Sequence, residues 1–123
     1  MKQRKLLIIA DERSEIRSGA NLWLGAGGYT AVFAAPGVSA IRVARKERPH
    51  LILLELVAPV RNGFSVLERL QINTELSHLP VIVLCERDAE ADEERARKAG
   101  ACAYLRKPVD DADLLDAISA TLR

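Results

Sequence analysis

Cysteine is scarce in this chain of 123 residues, and so is net charge of either sign. The two cysteines, Cys85 and Cys102, form no metal-ligand spacing and are too few for a disulfide scaffold, a usage that suits a reducing compartment. Lys and Arg number 18 against 17 Asp and Glu, a formal net charge of +1. Proteins that live on phosphate contacts carry a clear basic excess, so nucleic acid is not expected as a direct partner. No apolar run approaches the roughly 18 residues of a membrane span. The start, Met1 to Lys5, is basic like the head of a signal peptide. The apolar run that follows, Leu6 to Ala10, is too short for a signal core and stops at Asp11-Glu12. The chain is therefore expected to stay in the cytoplasm. Repeats, linkers and low-complexity tracts are absent too. What remains is ordinary globular material, 49% hydrophobic and 28% charged. The length suits a single domain over residues 1–123. Such a chain buries roughly two-thirds of its unfolded surface, which excludes disordered, collagen-like and disulfide-stapled classes.

Five short apolar runs recur, with amphipathic stretches between them. The runs are Leu6 to Ala10, Tyr29 to Phe33, Leu51 to Leu54, Val81 to Cys85 and Ala101 to Leu105. Three are continuous rather than alternating, as strands buried on both faces of a parallel sheet require. Ile16, Ala20, Trp23 and Leu24 have helical spacing, with Ser14 placed as a cap and Gly27-Gly28 as a stop. Val38, Ile41 and Ala44 mark a second helix between Pro36 and Pro49. Phe64, Leu67 and Leu70 mark a third, entered through a turn at Asn62-Gly63. The fourth stretch, about Asp88 to Ala99, has only alanines to bury, at positions 89, 91, 96 and 99, and is expected to be the least anchored. The fifth carries Leu114, Leu115, Ile118 and Leu122 behind an acidic first turn, Asp110, Asp111 and Asp113, which suits the helix dipole. Strict strand–helix alternation predicts an α/β fold with right-handed crossovers. Five strands fit a flavodoxin-like, doubly wound parallel sheet of order 2-1-3-4-5 with five helices, whose ligands sit at the carboxyl ends of the strands.

Several acids are expected at that edge. Asp11 and Glu12 follow the first strand at Ala10, Glu55 ends the third, Cys85-Glu86 end the fourth, and the fifth runs into Arg106-Lys107-Pro108. Clustered carboxylates repel unless a hard cation or a lysine neutralises them, so Lys107 is expected to pair with Glu55 and with Asp11. His50 and His78 read as surface residues, Trp23 as core, and the charge run from Glu86 to Lys98 as a solvated face. The two cysteines fall at opposite ends of neighbouring strands and are expected to be unbridged.

These residues, in this order, resemble the receiver domain of two-component response regulators over essentially the whole chain. Leu6 to Glu12 resembles the opening strand with its acidic end. Pro49 to Glu55 resembles the strand that ends in the phosphorylated aspartate, followed by Pro59 and Asn62-Gly63-Phe64. Pro80 to Cys85 resembles the strand that ends in the switch threonine or serine. Ala99-Gly100-Ala101 with Tyr104-Leu105-Arg106-Lys107-Pro108 resembles the fifth-strand signature. The resemblance implies a cis Lys107–Pro108 bond, a Mg²⁺ held by Asp11 and Glu55, and coupling of position 85 to Tyr104.

The departures are chemical. Glu55 stands at the acceptor position, Ala10 where the acidic pair begins, and Cys85 where a hydroxyl is expected. The extra methylene carries the carboxylate about 1.5 Å further, and misplacements near 1 Å cost about 100-fold. The acid missing at Ala10 weakens a magnesium site, and a thiol donates poorly to a phosphoryl oxygen. The expected molecule is an atypical, pseudo-receiver signalling module, not an enzyme, with no cofactor beyond weak Mg²⁺. Its partners would be a kinase, an output domain or another receiver. The resemblance implies that it meets them, or a second copy, through its fourth helix, fifth strand and fifth helix. Three alternatives stand beside it: residual Mg²⁺-dependent phosphorylation, a constitutively active mimic through Glu55, and a small-ligand or metal-binding domain. As a mimic Glu55 offers about one negative charge and two oxygens, against nearly two charges and three oxygens on a phosphoryl group.

Overall fold

Leucine, isoleucine and valine build the middle of the sheet, where Glu55 is the one polar interruption among the described residues. The computed structural model describes residues 4–56, 61–85 and 90–123. Along the chain it places β1 (Arg4–Ile9), α1 (Glu15–Gly27), β2 (Tyr29–Ala34), α2 (Val38–Glu47) and β3 (Leu51–Leu56). There follow α3 (Arg61–Ile72), β4 (Val81–Cys85), α4 (Glu90–Lys98), β5 (Ala103–Arg106) and α5 (Asp111–Leu122). All strand pairs are parallel, and the order is β2-β1-β3-β4-β5. Every residue of β3 and β4 is buried, whereas the edge strands β2 and β5 are only partly covered. That contrast is the doubly covered centre of a parallel sheet.

Alternate side chains feed two cores. Leu6, Ile8, Leu51, Leu53, Ile82 and Leu84 pack with Leu24 of α1 and with Leu114 and Ile118 of α5. Leu7, Ile9, Ile52, Leu54 and Val83 pack on the other face with α2, α3 and Ala96 of α4. Each large aliphatic side chain so buried contributes about 1.5–3 kcal/mol. No helix among the described residues is long and apolar enough to cross a membrane.

Helix ends follow the chemistry of their caps. Ser14 Oγ accepts the Ile16 amide at 3.2 Å, and Gly28 closes α1 in the left-handed region at φ 81°. Three sequence expectations need correction. Val38 is 61% exposed, because α2 buries Ala40 and Ala44, and two residues from Ala40 is about 200° around the helix. Asn62-Gly63 is no turn before α3 but part of its first turn, where a side chain at Gly63 would run into Leu56. β5 starts at Ala103 rather than Ala101, whose amide instead returns to the Ala96 carbonyl at 3.0 Å. Asp88 and Ala89 lie outside the described residues, as do the side chains of Ala20, Trp23 and Ala91.

Candidate functional site

Among the described residues, the carboxyl edge of the sheet holds one buried acid. Glu55 lies near the end of β3, opposite Leu84 of β4, and is the single charged residue buried among those described. Its Oε2 takes an ion-paired hydrogen bond from Lys107 Nζ and a second, at 2.9 Å, from Ser14 Oγ. The Lys107 amide donates to the Cys85 carbonyl at 2.8 Å, which fixes its backbone at the end of β4, and the Lys107–Pro108 bond is cis. Beside the pair, a shallow cleft of about 300 Å³ is lined by Glu15, Ile16, Lys107, Pro108 and Val109.

The neighbouring acids are turned elsewhere. Asp11 is exposed, and its Oδ1 accepts the Arg13 amide at 2.9 Å while its carbonyl accepts the Ser14 amide. Glu12 is exposed as well. The expected pocket of Asp11, Glu12 and Glu55 facing one lysine therefore reduces to Glu55 with Lys107. The cause is the tight turn after β1, which spends Asp11 on its own backbone. Ala10 is fully buried in the sheet, with its amide on the Ala34 carbonyl at 3.0 Å. Among the described residues, no group of three His, Cys, Asp or Glu side chains converges as a metal site. Glu86 and Pro59 lie outside the described residues.

Cys85 is buried and Cys102 exposed, and both are free thiols. Tyr104, beside Val83 in the sheet, is buried, and its hydroxyl has no hydrogen-bond partner among the described residues. Burial first, then the Cys85 thiol and the charge of Asp92, push its ionisation well above the ordinary phenol value. His50 and His78 are exposed, and His50 Nδ1 accepts the Lys5 amide at 3.0 Å.

Two residues escaped the sequence reading. Ser14, read only as a helix cap, also holds Glu55; its place in the loop after β1 was the available signal. Arg17 reaches back from α1 to donate to the Ala10 carbonyl at 3.2 Å, with its guanidinium 5.3 Å from the centre of the Phe33 ring. Nothing in local pattern announces that contact.

Comparison with known proteins places this geometry. A model of the response regulator receiver domain family matches residues 7–119. The chain is 34% identical over 118 residues to the protein PilH of Pseudomonas aeruginosa, covering 96% of this chain and 97% of PilH. It is 31% identical over 119 residues to the polar-differentiation response regulator DivK of Brucella anthropi, covering 97% and 96%. Among solved structures it resembles a CheY-like response regulator receiver domain protein of Methanospirillum hungatei at TM-score 0.84 and 25% identity, covering 98% of this chain and 94% of that one. It also resembles the receiver domain of a Pseudomonas aeruginosa sensor histidine kinase with a magnesium ion in its active-site cleft. That match has TM-score 0.84 and 25% identity, and covers 98% of each chain.

Proposed function

The chain belongs to the response regulator receiver domain family, and from that premise we propose that it is a receiver module of two-component signalling that works without taking up phosphate. Residues 1–123 are read as one such unit, a signalling part rather than a catalyst. Its partners are a kinase, an output domain or another receiver, met through the face formed by α4, β5 and α5.

The observation that carries the reading is the state of Glu55. Where the family places its acceptor aspartate, this chain has a longer carboxylate, buried and held on one oxygen by Lys107 and Ser14. One buried anion matched by one cation leaves little excess charge to draw a divalent ion out of water. The donors do not fit a firm magnesium site. Ala10 is apolar, Asp11 is committed to the Arg13 amide, and Glu55 is paired. At the switch position the Cys85 thiol is a weak donor, and the Tyr104 hydroxyl beyond it has no hydrogen-bond partner among the described residues. The retained lysine serves the resting protein.

The test is incubation of the native chain with acetyl phosphate and Mg²⁺, read by intact mass. The expected result is no phosphoryl addition. A phosphoryl group mapped to Glu55 overturns the reading.

A further inference from the structure

Away from Glu55, a groove of about 850 Å³ runs between α2 and α3. Two exposed aliphatic side chains meet there. Val38 on α2 and Ile72 at the end of α3 are the large hydrophobic side chains left in solvent among the described residues, at 61% and 81% exposure. Neither faces the core: Val38 lies about 200° around α2 from the buried Ala40, and Ile72 about 200° around α3 from the buried Leu70. Both aliphatics line the same groove.

The rim is basic. Arg42, Arg45 and Lys46 come from α2 and Arg69 from α3, while Glu75 is the one acid lining the groove among the described residues. Arg45 is neutralised by Glu75 at 3.2 Å. Arg42, Lys46 and Arg69 are exposed and make no ion pair among the described residues. In a chain of net charge +1, three uncompensated cations around two bare aliphatics form a strong local asymmetry.

We propose that this groove docks an acidic amphipathic helix of a partner protein, its aliphatic side chains on Val38 and Ile72 and its carboxylates on Arg42, Lys46 and Arg69. Apolar contact supplies the affinity, and charge complementarity sets orientation and encounter rate. Nucleic acid fits less well: among the described residues no aromatic side chain lines the groove to stack a base, and Glu75 stands among the cations. The surface does not involve Glu55, Lys107 or the α4–β5–α5 face, so it stands whether or not the chain accepts phosphate.

The test is an amide-shift titration of the full chain with a synthetic peptide that has leucines at i, i+3, i+4 and i+7 and glutamates on its other face. Shifts are expected at Val38, Arg42, Arg69 and Ile72, with binding that weakens as salt is raised. Ile72→Asp, and separately Arg42→Glu with Arg69→Glu, are expected to weaken it by about tenfold or more. All three positions are exposed, and unchanged shifts elsewhere verify the fold. Any of four results overturns the proposal: equal binding of the same peptide with lysines for glutamates, displacement by duplex DNA, groove shifts that appear on concentrating the protein alone, or no groove shifts with peptide.

Discussion

Glu55 is the residue on which stability and function most conflict, since a carboxylate inside a sheet must be matched by a cation or lost. Its side chain is 2% exposed and that of Lys107 is 23% exposed, so the pair is largely desolvated. Removing the cation alone strands a buried anion. Lys107→Met is therefore expected to cost about 3 kcal/mol in urea unfolding, and adding Glu55→Leu to recover most of that loss. No recovery in the double variant would mean that the lysine acts through something other than this pair. Tyr104 makes the converse point, because its buried hydroxyl is unmatched. Tyr104→Phe should be neutral or stabilising by up to about 1 kcal/mol near neutral pH. The folded state holds the phenol proton above the ordinary value of 10.0. Stability from this group is thus complete below that pH and lost as pH rises beyond it. Denaturation series above pH 10 should show a shallower decline for Tyr104→Phe than for the native chain.

Among the elements, α4 is held unlike its neighbours. Ala96 is its buried anchor, whereas α5 has Leu114 and Ile118. Its other described side chains are charged. Arg97 pairs with Glu93 and Lys98 with Glu94 within the helix, Arg95 reaches Glu68, and Arg106 reaches Glu93. Arg95 also sits 4.2 Å from the centre of the Phe64 ring. Exposed ion pairs are each worth only a fraction of a kcal/mol and are screened by salt. Amide exchange is therefore expected to be faster in α4 than in α5, and the gap to widen as salt is raised. Equal protection at all ionic strengths would contradict this. In α3 the controlling feature is steric. Gly63→Ala gains about 1 kcal/mol of helix propensity, but its methyl group meets Leu56, which is 1% exposed and cannot swing away. Overpacking costs about 1–3 kcal/mol, so the net change should be destabilising by about 1 kcal/mol in thermal or urea unfolding.

For the whole molecule, the question is how far a change at the carboxyl edge can travel. Position 85 ends β4, Tyr104 lies in β5, and α4 is weakly anchored between them, so a signal would have to cross this stretch. Repair should then come in steps. Glu55→Asp alone is expected to accept phosphate from acetyl phosphate slowly and only with Mg²⁺, with little spectral change on the α4–β5–α5 face. Adding Cys85→Thr should bring that change, and adding Ala10→Asp should tighten Mg²⁺. Intact mass follows the first effect and amide shifts the second. Full switching by Glu55→Asp alone would show that the thiol is no obstacle.

Local pattern alone determined the number and kind of elements, their order, and the caps at Ser14 and Gly28, because each depends on neighbours a few residues away. The continuous runs at Leu51 and Val81 announced central strands, since only a sheet covered on both faces tolerates them. The motifs around Glu55, Cys85 and Lys107 also carry the likeness to the family, and the residues that depart from it, in the sequence itself. Tertiary structure decided what side-chain direction controls. Asp11 stands next to the crevice in sequence, yet the turn after β1 spends it on the Arg13 amide, and Ser14, from the same turn, supplies the contact to Glu55. Val38 fits an apolar stripe by spacing, but the sheet takes the Ala40–Ala44 side of α2, where small side chains allow close approach, and leaves Val38 in water. Spacing defines the faces of an element, and only the partner that packs against it selects which face is buried.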